Sequence, residues 1–172
     1  MLTFSTKAGT LKQLEGHLEY AQVLPQVCFT VDQWQQMGEA LWLQIEQAFG
    51  QQAVIVRSSA LSEDTGRSSQ AGKFLSVADC RGRESILSAI EQVAGAFDDD
   101  CPDNEIFIQP MLQDVARSGV IFTLEPNTGG QYYVINYDDG GSTSSVTSGS
   151  GEGLQVYYQA KSFTAVSYTH LE

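Results

Sequence analysis

Nine lysines and arginines stand against 21 acids in this chain of 172 residues, and four of them, Lys7, Arg57, Lys73 and Arg117, sit beside loop or strand-end signals rather than on helical surfaces. Arg57 leaves the apolar run Ala53-Val54-Ile55-Val56 and leads into Ser58-Ser59. A guanidinium fork beside two hydroxyls and loop amides suits phosphate oxygens, which makes Arg57 and Ser58 candidate anion ligands. Arg57 is equally placed to pair with Glu63 or Asp64 of its own segment, and composition does not separate the two readings. Gln70-Ala71-Gly72-Lys73 sets a glycine beside a lysine just before an extended pattern, so backbone could approach an anion while the ammonium neutralises it. An ordinary turn glycine is the other reading of Gly72. The spacing is not that of a P-loop, and Gly129-Gly130 and the glycines of 149–153 make no dinucleotide fingerprint.

Other chemistries find little support. His17 and His170 are the only histidines, and neither is flanked by a serine or cysteine partner, so both read as surface residues. Cys28, Cys80 and Cys101 are odd in number and far apart, as expected of reduced structural thiols rather than a disulfide framework or a zinc site. The run Asp98-Asp99-Asp100 reads as a solvated turn, because no spaced calcium-loop pattern accompanies it. A net charge of −12 argues against a nucleic-acid partner. No apolar run approaches the roughly 20 residues a bilayer requires, and Met1-Leu2-Thr3-Phe4 lacks a basic flank, so no membrane partner and a cytoplasmic location are expected.

The elements that must position these residues follow from periodicity. Thr6 precedes a short helical pattern over 7–14, with Gly16 beyond its end. Val27-Cys28-Phe29 reads as a strand. Thr30 and Gln33 form a capping box, after which Val31, Trp34, Met37, Leu41, Ile45 and Phe49 recur at helical spacing until Gly50; this stripe is expected to pack in the core. Residues 53–56 predict a strand buried on both faces that delivers Arg57 to its end, followed by a loop over 58–70. Strand 74–77 and a helix over 84–97, its apolar face running from Ile86 to Phe97, come next. From Glu105 onward the chain predicts strands near 106–108, 118–123, 132–136 and 154–158, with 140–153 as an extended connection. The expected class is α+β, helices dominating early and strands late.

Taken in order, Val54-Ile55-Val56-Arg57-Ser58-Ser59-Ala60 with Glu63-Asp64, Ala71-Gly72, Ile108-Gln109-Pro110-Met111 and Ala116-Arg117-Ser118-Gly119-Val120-Ile121-Phe122-Thr123 resemble the nucleotide-binding domain of the phosphoenolpyruvate synthase and pyruvate phosphate dikinase family. Thr6-Lys7-Ala8 with Leu11 and Val146-Thr147-Ser148-Gly149 add to the match, which covers most of 5–161. The resemblance implies an ATP-grasp fold, in which two α+β subdomains close over ATP and lysine, arginine and backbone amides hold its phosphates. By resemblance Lys7 and Arg57 contact phosphates, Gly72 belongs to the phosphate-covering loop, and Gln109 lies at the adenine end. Arg117 stays outside this set, since Asp114 offers it a structural partner.

The departures shape what is expected of this chain. The connection before the Arg-Ser-Ser strand is short, and Asp138-Asp139-Gly140-Gly141-Ser142-Thr143 stands where many members carry Gly-Leu-Gly-Glu. The later segment that supplies the family's magnesium-holding acids does not occur before Glu172, so the expectation is a partial domain over 1–170, incomplete at its C-terminal end, with Leu171-Glu172 set aside as a cloning remnant. Mg2+ is then expected to find its ligands outside this chain. The function implied is the ATP-binding part of a phosphotransferase that passes a phosphoryl group to a histidine on another domain and is inactive alone, its partners being the phosphohistidine and substrate domains of a parent protein. The alternatives are a degenerate interaction module and an ATP-grasp phosphotransferase with a different acceptor.

Overall fold

The structure, a computed structural model, describes residues 5–60, 75–97, 101–140, 146 and 154–161. Three helices and seven strands appear among them, and the chain divides into two compact units, Met1–Met111 and Leu112–Glu172. The mixture of helices with two antiparallel sheets is α+β, as the sequence led one to expect.

Unit 1 contains α1 (Lys7–Leu14), β1 (Val27–Thr30), α2 (Val31–Phe49), β2 (Val54–Ser59), β3 (Ser76–Cys80), α3 (Gly82–Gly95) and β4 (Glu105–Pro110). Its sheet has the order β1-β4-β2-β3, every neighbouring pair antiparallel. The expected caps are present. Thr6 accepts from the Gly9 amide at 3.1 Å, and Thr30 and Gln33 exchange both bonds of a capping box, at 3.1 and 2.9 Å. These satisfy amides that the first turn of a helix leaves without intrahelical partners. Gly50, at φ +54, ends α2 in a conformation that suits glycine.

One face of the sheet packs against α2 and α3. Val54 and Val56 of β2, Ile106 and Ile108 of β4 and Phe29 of β1 meet Leu41, Ile45, Phe49, Ile86, Ile90 and Val93 in the core. Each such side chain contributes about 1.5–3 kcal/mol by leaving water. Met37 departs from the expected core stripe. Its backbone is non-helical (φ −132, ψ 28) and its side chain is 49% exposed. Past this kink the expected stripe resumes, with Leu41, Ile45 and Phe49 buried together with Trp42.

Two further expectations are corrected. β2 does not stop at Arg57: pairing with β4 continues through Ser58↔Ile106 and Ser59↔Glu105, so Arg57 lies inside a strand that runs to Ser59. Nor is the run buried equally on both faces, since Val54 and Val56 are fully buried while Ile55 is only half-buried. α3 begins at Gly82 and ends at Gly95, two residues earlier at each end than its periodicity suggests. Residues 61–70 of the expected loop, the following Gly72 and Lys73, the acidic run 98–100 and nearly all of 141–153 lie outside the described residues.

Unit 2 contains β5 (Ser118–Phe122), β6 (Tyr132–Asp138) and β7 (Gln155–Ala160) in an antiparallel sheet of that order. Gly119 lies opposite Tyr137, where a Cβ would come 2.6 Å from the Asn136 carbonyl oxygen. Only a glycine lets the two strands approach this closely. The β5–β6 connection is organised by Glu125, whose carboxylate accepts from the Thr128 hydroxyl at 2.6 Å and from the amides of Asn127 and Thr128 at 3.2 and 2.6 Å. Those bonds, the Thr128 hydroxyl first, hold the Glu125 carboxyl below the usual carboxylate range.

Candidate functional site

Strand alternation sorts the candidate residues of unit 1 onto two faces. Val54, Val56 and Ser58 share the helix-covered face of β2, with Ile106 and Ile108 beside them on β4. Ile55, Arg57 and Ser59 share the other, where the register sets them against Gln109, Phe107 and Glu105. Phe107 is fully buried yet stands apart from the helix-side cluster, as this assignment requires. The Arg57 guanidinium lies over its ring, 5.4 Å from the centroid, and the Nε atom is buried. A stacked guanidinium loses little freedom when it accepts a planar or tetrahedral oxyanion.

Helix α1 attaches to this same face at the Ser59/Glu105 end. The Ala8 amide donates to Ser59 Oγ at 2.9 Å, Thr6 Oγ1 donates to Glu105 Oε2, and Gln26 Nε2 donates to the Ala8 carbonyl at 2.9 Å. Lys7, the first residue of α1, lies between two residues pinned in this way. Gln109 is buried on β4, two residues beyond Phe107 and therefore about 7 Å further along the strand. The sequence-derived candidates thus fall in order along one face: α1 with Lys7 at the Glu105 end, Arg57 over Phe107, and Gln109 beyond.

Ser58 does not join them. Its side chain belongs to the opposite face, it is almost fully buried, and its amide donates to the Leu75 carbonyl at 3.2 Å. Gly72 lies outside the described residues. Arg117 pairs with Asp139 and lies 5.7 Å from the Tyr137 ring centroid, so its partner is Asp139 rather than Asp114. The register Ser118↔Asp138 explains this, for it carries Arg117 past the strand end toward Asp139.

Sequence reasoning missed Glu105, Phe107 and the role of Ser59. The alternation Glu105, Phe107, Gln109 against Ile106, Ile108 was a readable signal of a two-faced strand. Glu105 is half-buried on this face and its Oε2 accepts from both Thr6 and Ser59, the latter at 3.4 Å. A carboxylate committed to two hydroxyls is a poor nucleus for a magnesium site, and among the described residues no group of three or more histidines, cysteines, aspartates or glutamates converges. Cys28, opposite Phe107, has its thiol pushed up to about 12 by burial and, secondarily, by the charge of Glu105. It stays protonated at neutral pH. The described clefts, of about 260, 270 and 380 Å³, lie around α2 and α3, away from Arg57 and Gln109. Among the described residues no helix is long and apolar enough to cross a membrane.

Comparison with known families sets the class: residues 18–164 match the model of an AMP/ATP-binding domain. The domain is that of pyruvate phosphate dikinase, and the chain belongs to this family. The matched span includes Arg57, Ser58, Gly72 and Gln109 and begins after Lys7. A search of curated proteins finds no match.

Proposed function

We propose that this chain binds ATP along the face of its first sheet that carries Arg57 and Gln109, and serves a phosphotransferase of the phosphoenolpyruvate synthase and pyruvate phosphate dikinase type. Lys7 and Arg57 neutralise phosphate oxygens, and Gln109 meets the adenine. Gly72 completes the set, while Ser58, whose side chain lies on the opposite face of β2, takes no part in it. The observation that carries this reading is the order along one face, which runs from Lys7 through Arg57 to Gln109 and agrees with a nucleotide lying phosphates-first toward α1.

The chemistry supplied here is positioning and charge neutralisation, the two largest contributions to phosphoryl transfer. In the proposed reaction a bond from phosphorus to a nucleotide oxygen breaks and one to an imidazole nitrogen forms, the histidine belonging to a separate domain. Magnesium enters as the partner of the nucleotide, with ligands outside this chain. An ATP-grasp arrangement and a cytoplasmic location belong to the same proposal.

Calorimetric titration with Mg-ATP, on the wild-type chain and on Arg57→Ala, tests it. The wild type should bind, and the substitution should weaken binding at least tenfold, about 1.4 kcal/mol. Equal affinities would remove Arg57 from the site. A folded chain that binds no Mg-ATP would defeat the ATP-binding reading as a whole.

A further inference from the structure

We infer that Glu105 is a positioning residue for Lys7, acting through the hydroxyls of Thr6 and Ser59; this rests on the ATP-binding reading above. A hydroxyl has one proton to donate and lone pairs left to accept. Thr6 Oγ1 and Ser59 Oγ both direct that proton to Glu105 Oε2. Their lone pairs are thereby turned toward α1, where Thr6 accepts from the Gly9 amide at 3.1 Å and Ser59 from the Ala8 amide at 2.9 Å. One carboxylate therefore orients two caps on the first turn of α1, on either side of Lys7.

The geometry also ties the two proposed phosphate cations together. Ser59 stands two residues after Arg57 on the same face of β2, and Glu105 stands two residues before Phe107, the ring beneath the Arg57 guanidinium. The helix bearing Lys7 and the strand pair bearing Arg57 are joined through the Ser59–Glu105 pair. Charge favours the arrangement further, since a carboxylate beside a helix N-terminus faces its positive end. Gln26 adds a fifth hydrogen bond, to the Ala8 carbonyl, so the turn is held on both its donor and its acceptor side. Thr6 and Ser59 are buried, which excludes water as an easy replacement partner.

The test titrates the full chain with Mg-ATP and, separately, with adenosine, in the wild type, Glu105→Ala, Glu105→Gln, Lys7→Ala and the double variant Lys7→Ala/Glu105→Ala. If Glu105 acts by placing Lys7, Glu105→Ala weakens Mg-ATP about tenfold and leaves adenosine within about twofold, since only the phosphates meet the lysine. Glu105→Gln, which keeps a carbonyl acceptor, recovers part of that loss, and the double variant binds no more weakly than Lys7→Ala. Unchanged Mg-ATP affinity, an equal loss toward adenosine, or losses that simply add would each overturn the inference.

Amide exchange at Ala8 and Gly9, referenced to Ile106 and Phe107, keeps the question decidable without nucleotide. Faster exchange confined to Ala8 and Gly9 in Glu105→Ala supports the anchor. Faster exchange throughout the sheet assigns Glu105 to the fold instead and overturns the inference, and so does no change at all. A wild-type chain that ignores Mg-ATP defeats the functional reading, and positioning falls with it, while the exchange data still decide whether the anchor exists.

Discussion

Replacing Gly119 with alanine should loosen the β5–β6 pair, and the size of the effect can be worked from the contacts. The added Cβ would lie 2.6 Å from the Asn136 carbonyl oxygen, 3.1 Å from Tyr137 Cβ and 3.3 Å from Tyr137 Cα, against 3.4 Å or more for ordinary contact. Two of these three atoms are backbone, so no rotamer change relieves the clash, and the strands must part by roughly 0.8 Å. Overpacking of this kind costs about 1–3 kcal/mol, offset by about 0.4–1 kcal/mol from the stiffer unfolded chain. A net loss of about 1–2 kcal/mol lowers amide protection in β5 and β6 by roughly 5–30-fold. Gly95→Ala is the matched control. Nothing lies within 4 Å of its Cβ position at the end of α3, and the change should be neutral or stabilise by up to about 1 kcal/mol. Hydrogen exchange reads β5–β6 directly, while fluorescence of Trp34 and Trp42, the only tryptophans, follows unit 1 alone. Unchanged β5–β6 protection in Gly119→Ala, or an equal loss in Gly95→Ala, would refute the close-approach argument.

Two pH-dependent effects follow from the same structure. Because the Thr128 hydroxyl and the Asn127 and Thr128 amides hold the Glu125 carboxyl below its ordinary value of 4.5, its contribution to stability is present above that value and is lost as pH falls through the lower folded one. An NMR titration should therefore show the Thr128 amide resonance moving below pH 4.5, and Glu125→Gln should abolish that movement. The Cys28 thiol, raised from 9.0 to about 12 first by burial and then by Glu105, works in the opposite sense: the stability tied to its neutral form is full below pH 9 and is lost as pH rises toward 12. Denaturation between pH 8 and 11 should show a shallower alkaline fall in Cys28→Ala than in the wild type; equal slopes would exclude Cys28 as the titrating group.

Much of the fold was legible because its signals are local. Thr6, the Thr30/Gln33 box and Gly50 mark helix ends by hydrogen-bonding capacity and backbone freedom alone, and each stands where expected. The apolar periodicity of 84–97 likewise identified α3 through Ile86, Ile90 and Val93. What failed was set by neighbours. Met37 continues an ideal helical stripe in the sequence, but the backbone departs from helical geometry at that residue, and no one-dimensional period registers such a kink. β2 looked finished at Val56 because Arg57-Ser58-Ser59 are polar. Pairing with β4 carries it on to Ser59, and hydrogen bonds to a neighbouring strand do not require apolar side chains.

The candidate site was legible in its residue types and not in its division of labour. Arg57 was read beside two equivalent hydroxyls, and a strand makes them inequivalent, since successive side chains point to opposite faces. Ser58 goes with Val54 and Val56 to the helix side, while Ser59 stays with Arg57, where it accepts from Ala8 and donates to Glu105. Ser59, the hydroxyl nearest the arginine along its face, is thus already bonded within the protein and builds the frame that holds α1. In the ATP-binding reading, the Arg-Ser-Ser segment therefore contributes its guanidinium to the phosphates rather than its hydroxyls. In the same reading, Lys7 supplies the rest of the charge neutralisation at this end, because the Ala8 and Gly9 amides of α1 are already bonded to Ser59 and Thr6. This is why the placement of α1, and hence Glu105, matters as much to that reading as Arg57 itself.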